Sequence, residues 1–127
     1  MKWAMENGIG IETHSSLANG ILTGAIREVP TYPEDDIRNL YPYPHLKEPM
    51  FSKCMKLLET LDKLSGERNV PIAQIALNWS TQKDYVTSAL CGVRNVKEAT
   101  ENCKCTEWEL TKEEMAMLDN AIEDNLG

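Results

Sequence analysis

The sequence predicts an α/β fold with two parallel strands and about four to five helices, on three observations. A helix end at Lys2 to Asn7 runs through glycine into an extended stretch, Ile9 to Thr13, which is the α-to-β step of such folds. Two apolar-striped helices then separate that stretch from a second extended run, Asp84 to Cys91. Both runs empty into polar loops containing glycine. A strand-to-strand connection through helices is expected to be right-handed.

Trp3, Ala4 and Asn7 lie at helical spacing, and Asn7-Gly8 is a stop signal, so residues 2 to 7 read as the last turns of a helix that begins outside the sequence. In the first strand Ile9 and Ile11 share one face. Gly20 to Ile26 has the composition of a short helical turn. Beyond it Pro30, Pro33, Pro42, Pro44 and Pro49 forbid long regular structure, making residues 25 to 50 one long loop. Its Tyr32, Asp35, Asp36, Tyr41 and Tyr43 form either a substrate rim or a loop packing its own tyrosines.

Phe51 to Leu64 is the clearest helix, with Phe51, Cys54, Met55, Leu58, Leu61 and Leu64 on one stripe and Ser65-Gly66 as its end. Pro71 sits where a helix start tolerates it, and Ile72, Ile75, Ala76 and Trp79 form the next stripe, down to Ser80. The second strand, ending at Gly92, follows. Asn95-Val96-Lys97-Glu98 reads as a capping box, in which the Asn95 side chain accepts from the Glu98 amide and Glu98 reaches back to Asn95. Thr111 to Glu114 is a second box, flanked by the staple pair Leu110 and Met115, and Met115, Leu118 and Ile122 carry the last helix's apolar face.

Composition narrows the function. The chain has 127 residues, 42% hydrophobic and 26% charged, the profile of one globular domain. Its net charge of −7 is concentrated after residue 106, where Glu107, Glu109, Glu113, Glu114, Asp119, Glu123 and Asp124 face Lys112 alone, which argues against nucleic acid as a partner. No run of about 20 apolar residues is present, and the start is too short and polar for a secretory signal, so no membrane association and a cytoplasmic location are expected. Cys54, Cys91, Cys103 and Cys105 lack metal or redox spacing and read as reduced, mostly buried thiols rather than as a metal site or disulfides.

Ligands of α/β proteins gather at the carboxyl ends of the strands, where both polar loops lie. The first offers the hydroxyls of Ser15 and Ser16, the Asn19 amide, and Gly20 and Gly24 for close backbone approach. The second joins Gly92 and Arg94 to a helix N-terminus at Asn95, an arrangement that attracts anions. His14 and His45 have no nucleophile in a recognisable motif beside them, and Tyr41 and Tyr43 lack a paired lysine to lower a phenol pKa.

From Gly8 the first loop reads G-I-x-x-x-x-x-S-x-L-x-x-G-x-L-T-G, and the second runs from Gly92-Val93-Arg94-Asn95 to Glu101-Asn102. In this order the two resemble the C-terminal part of the aldo-keto reductase family, whose members are (β/α)8 TIM barrels that reduce carbonyls with a nicotinamide cofactor. The resemblance implies a partial barrel, since a complete one takes about 250 residues. It implies that Ser15, Leu17 and Gly20 cover a dinucleotide's pyrophosphate. Gly92, Arg94, Asn95, Glu98 and Asn102 would then lie at its adenosine end, in the segment that is G-x-R-N-x-x-Q-x-x-E-N in the family. Three positions depart from the pattern: His14 and Ser16 stand in place of an aromatic residue and a proline, and Glu98 in place of Gln or Arg. A carboxylate at position 98 repels a phosphate dianion, so NADP is expected to have little advantage over NAD.

The family's catalytic Asp, Tyr, Lys and His belong to earlier strands without counterparts here, so the resemblance implies no catalytic residue in this chain. Two functions follow as expectations. One is an oxidoreductase fragment that carries the NAD(P)-binding loops and depends on a partner or an upstream segment for the remaining strands. The alternative is a non-enzymatic module that self-associates or binds a partner.

Overall fold

The computed structural model describes residues 1–127. Along the chain come α1 (Lys2–Glu6), β1 (Glu12–Thr13), α2 (Ile37–Leu40), α3 (Met50–Arg68), α4 (Ile72–Thr81), β2 (Ser88–Ala89), α5 (Val96–Cys103) and α6 (Lys112–Leu126). Short 3₁₀ segments occupy Ala18–Thr23, which is kinked at Asn19 and Gly20, Pro44–Leu46 and Lys104–Thr106.

The apolar stripes of α3, α4 and α6 meet to form the core. Leu58, Leu61 and Leu64 of α3, Ile75 of α4 and Leu118 of α6 are each no more than 2% exposed, and Ile21 from the first loop joins them. Burying each such side chain contributes roughly 1.5–3 kcal/mol. The α6 start forms as expected: Thr111 and Glu114 complete a reciprocal capping box, and Leu110 is buried beside it. Glu114 also receives the Arg68 guanidinium, which ties the end of α3 to the start of α6.

That tie explains why Ser65-Gly66 does not end α3. The helix continues through Gly66, which has open space around it, to Arg68. Its stop is Asn69 in the left-handed region (φ 53), where the Val70 amide bonds to the Ser65 carbonyl at 3.2 Å. The apolar stripe finishes at Leu64, whereas the last turn is held by polar contacts that periodicity does not reveal.

The two strands are parallel, with Glu12 opposite Ser88 and Thr13 opposite Ala89, and α3 and α4 lie between them in sequence. Both are shorter than the runs Ile9–Thr13 and 86–91 anticipated from sequence. The reason lies at Ile11. Its amide donates to the Thr87 hydroxyl (3.1 Å) rather than to a strand carbonyl. Its carbonyl accepts from the amides of Thr87 and Ser88. A Cβ on Gly10 would stand 3.0 Å from that same hydroxyl, so any larger residue would crowd the substitute bond.

Of the anticipated loop 25 to 50, residues 25 to 49 contain only α2 and one 3₁₀ turn, in keeping with their prolines, and α3 begins at Met50. Asp36 caps α2 by accepting from the Arg38 amide at 2.9 Å. Arg38 stacks on the Tyr32 ring, 3.7 Å from its centroid, and Tyr41, Tyr43 and His45 contact one another in series. All four thiols are free: Cys54 and Cys105 are buried, Cys91 is half-buried, and Cys103 is exposed, against the expectation of mostly buried sulfur.

Candidate functional site

Parallel pairing carries the two polar loops to the same end of the sheet. Ser16 Oγ donates to the Leu90 carbonyl at 3.1 Å, joining the loop after β1 to the end of the second extended run. Behind it the hydroxyls of Thr13, Ser16 and Ser80 form a chain with 3.4 Å links, so α4 supports the junction.

The first loop is locally strained. Ser15 (φ 55), Ala18 (φ 47) and Asn19 (φ 54) are non-glycine residues in the left-handed region, followed by Gly20 at φ 100. Such conformations cost about 1–3 kcal/mol each and concentrate where a backbone serves a ligand. Turn bonds hold the strain in place: the Leu17 carbonyl accepts from the amides of Gly20 and Leu22 at 2.9 and 3.2 Å. His45 Nε2 lies 2.9 Å from Asn19 Oδ1, and burial lowers the His45 pKa. Ser15 is exposed, and its hydroxyl is 3.1 Å from His14 Nδ1.

In the second loop Gly92, Arg94 and Asn95 are exposed, and a Cβ placed on Gly92 would meet nothing within 4 Å beyond its chain neighbours. Asn95 caps α5 by accepting from the Glu98 amide at 2.9 Å. The reciprocal half of the anticipated capping box is absent. The Glu98 carboxylate passes over Asn95 and takes the Arg94 amide at 2.9 Å, together with Arg94 Nη2 at 2.7 Å and Nε at 3.1 Å. Those bonds hold Glu98 below the usual carboxylate range. At the other end of α5, Asn102 donates to the Cys91 sulfur at 3.3 Å, and burial raises the Cys91 pKa. The buried Gln74 of α4 fixes this end by donating to the Glu101 carbonyl at 2.8 Å.

Of the residues singled out from sequence, Arg94 reaches an open depression of about 510 Å³, which it lines with Asn19, Asp36, Ile37, Arg38 and Tyr43. Ser15, Leu17, Gly20, Gly92, Asn95, Glu98 and Asn102 do not line it. Sequence reading singled out Asn19, Asp36 and Tyr43 as loop or rim residues and missed Arg38. Its one signal was the spacing Asp36-x-Arg38, which lets the guanidinium fold back on the carboxylate at 2.8 Å and holds Asp36 at about 2. Arg38 and Arg94 repel each other across the depression, and each is paired with its own carboxylate.

Gly92 leaves open space for a close backbone approach and the Ser15 hydroxyl is exposed, whereas a Cβ at Gly20 would meet Ile26 Cδ1 at 3.3 Å and the Asn102 amide is already engaged by the Cys91 sulfur. At Arg94 the Glu98 carboxylate already occupies both the guanidinium and the backbone amide.

A family model described as the aldo/keto reductase family matches residues 1–123. The aldo-keto reductase YhdN of Bacillus subtilis is 29% identical over 132 residues, covering 100% of this chain and 39% of that protein. An aldo-keto reductase of Schizosaccharomyces pombe, yakc, whose name specifies NADP(+), is 29% identical over 102 residues, covering 80% of this chain and 29% of its own length. The chain therefore spans well under half the length of these curated relatives. The glycerol dehydrogenase AKR11B4 of Gluconobacter oxydans superposes on 98% of the chain with a TM-score of 0.84 and 25% identity, using 37% of that structure. The two parallel strands and their helices are thus part of a TIM-barrel fold.

Proposed function

The chain belongs to the aldo/keto reductase family, whose model it matches over residues 1–123, and on that premise we propose that residues 1–127 form the C-terminal part of an aldo-keto reductase barrel, as one domain carrying the NAD(P)-binding loops. Ser15, Leu17 and Gly20 cover the pyrophosphate of the dinucleotide, and Gly92, Arg94, Asn95, Glu98 and Asn102 surround its adenosine. A bound nicotinamide dinucleotide supplies the hydride that reduces a carbonyl.

The observation that carries this reading is the bond from Ser16 to Leu90, which sets the two loops side by side at one end of a parallel strand pair. Proton donation to the carbonyl has no candidate here. Tyr41 and Tyr43 contact each other and His45 rather than a lysine. General-acid assistance is typically worth about 10²–10⁴ in rate, so the chain by itself binds the dinucleotide without reducing carbonyls. Reduction requires further barrel strands, from a partner or from a longer polypeptide. The four free thiols suit a reducing compartment such as the cytoplasm, and no helix is long and apolar enough to cross a membrane.

Calorimetric titration with NAD⁺ and NADP⁺, together with an assay of NADPH and NADH oxidation by a simple aldehyde, tests the reading. Binding without turnover is expected. Steady turnover abolished by changing Tyr41 or Tyr43 would place an active site in the 25–50 loop instead. The alternative is a non-enzymatic module that self-associates or binds a partner. It is favoured by the exposure of Ile9 (48%) and Leu90 (50%) beside the strands, and a stable oligomer that binds neither nucleotide would establish it.

A further inference from the structure

We propose that Asn7, followed by Gly8, is a site of spontaneous deamidation in the folded chain, and that the second such pair, Asn19-Gly20, is kept unreactive by the loop that holds it. The proposal is independent of the dinucleotide reading above.

An Asn-Gly step is open to this reaction because glycine has no side chain to hinder its own amide nitrogen. The chain contains the step twice, at 7–8 and at 19–20. The glycine nitrogen attacks the asparagine Cγ, the new N–C bond closes a succinimide ring, and the Cγ–Nδ2 bond breaks. The nitrogen leaves as ammonia, taking the glycine amide proton with it. Water then opens the ring at one carbonyl or the other, giving isoaspartate or aspartate with no change of oxidation state.

Both pairs start from a backbone that must turn before it reacts. At ψ 9 for Asn7 and ψ 27 for Asn19, the following amide nitrogen points away from Cγ. The two sites differ in how firmly that arrangement is held. Asn7 and Gly8 are exposed, and a Cβ on Gly8 would meet nothing within 4 Å. Asn7 Nδ2 donates to the Trp3 carbonyl at 2.8 Å and the Gly8 amide to the Met5 carbonyl at 3.2 Å. Both acceptors belong to α1, a helix of five residues that buries none of them, and so short a helix frays readily.

Asn19 and Gly20 are half-buried. The Gly20 amide donates to the Leu17 carbonyl at 2.9 Å, and Asn19 Oδ1 lies 2.9 Å from His45 Nε2. The next residue, Ile21, is 0% exposed and packed in the core. Turning Asn19 toward the reactive geometry disrupts both bonds and pulls on Ile21, so the pair reacts only after local unfolding.

Deamidation at position 7 exchanges an amide donor for a carboxylate, which leaves the Trp3 carbonyl without its side-chain partner. Isoaspartate also lengthens the backbone by one methylene just before Ile11, where the bonds to Thr87 begin.

The test is mass spectrometry of the wild-type chain after incubation at neutral pH and physiological temperature, folded and in urea. One tryptic peptide, residues 3–27, contains both pairs, so fragmentation reads the two rates within the same molecules. In the folded chain Asn7 is expected to convert about tenfold faster than Asn19 or more, the scale set by the two bonds that must open at the slower site. In urea the two rates should converge to within about twofold, by a rise at Asn19 far larger than that at Asn7. Equal rates in the folded chain, or faster conversion at Asn19, overturn the proposal. So does a folded chain in which Asn7 stays intact while the urea sample converts, and so does a difference between the sites that persists unchanged in urea.

Discussion

Ser16 and Leu90, 74 positions apart in sequence, are joined by a single hydrogen bond from the serine hydroxyl to the leucine carbonyl at 3.1 Å. It is the side-chain bond that spans directly from the first polar loop to the end of the second extended run. Ser16→Ala is expected to lower global stability by no more than about 0.5–1.5 kcal/mol. Its larger effect should be on dinucleotide affinity, several-fold weaker for NAD⁺ and NADP⁺ alike, because both ends of the ligand depend on the loops keeping their spacing. Urea unfolding and calorimetry on the same preparation separate the two effects.

A larger loss is expected inside the core. Asn78, 1% exposed, donates to the carbonyls of Cys105 and Trp108 and accepts from the Leu110 amide. Leucine at position 78 strands both carbonyls, while the Leu110 amide keeps the Gln82 side chain as its acceptor at 2.8 Å. The expected cost is about 2–4 kcal/mol, read as a lower urea midpoint with unchanged slope.

Acid should unfold the chain in two stages. His45 has its pKa lowered by burial, so the fold favours the neutral ring, and stability begins to drain as pH falls below about 6.5. Glu114 and Asp119 are held below the usual carboxylate range by Arg68 and Lys83. Their contribution is whole above about pH 4 and is lost as pH falls through their depressed folded values. Melting temperature should therefore be flat from neutral pH upward with respect to these groups, decline gently below about 6.5, and fall steeply below about 4. Glu114→Gln should flatten the steep part and leave the gentle one.

Purified at micromolar concentration, the chain is expected to associate. Ile9 and Leu90 are half exposed, and strands as short as β1 and β2 leave backbone groups without partners on their outer edges. Leu90→Lys or Ile9→Lys should shift sedimentation toward the monomer. A compact wild-type monomer in the same experiment contradicts this expectation.

How much was legible in the sequence differs by element. The apolar stripes of α3, α4 and α6 and the Thr111 capping box could be read because each is a local pattern with a fixed period or spacing. The strand lengths could not, since the Thr87 hydroxyl, 76 residues from Ile11, decides where the ladder begins. Nor could the end of α3, which depends on Arg68 meeting Glu114 across the fold. At the site, the pattern Asn95-x-x-Glu98 located the cap but not the partner of Glu98. Reaching one residue further, to Arg94, turns an ordinary capping carboxylate into the counter-ion of the arginine assigned to the ligand. Arg38 went unnoticed because a fold-back onto Asp36 at i−2 has no helical or strand period to announce it.

None of the buried core side chains comes from β1 or β2. The amides of Thr87 and Leu90, bonded to the carbonyls of Ile11 and Thr13, therefore have no interior packing to hold them closed. In deuterated solvent they should exchange through local opening, while amides in the middle of α3 and α4 wait for global unfolding. A ligand that spans both loops must close that opening before it can bind. Slowed exchange at Thr87 and Leu90 then becomes a direct and residue-specific count of occupied molecules, one that needs neither a chromophore nor turnover.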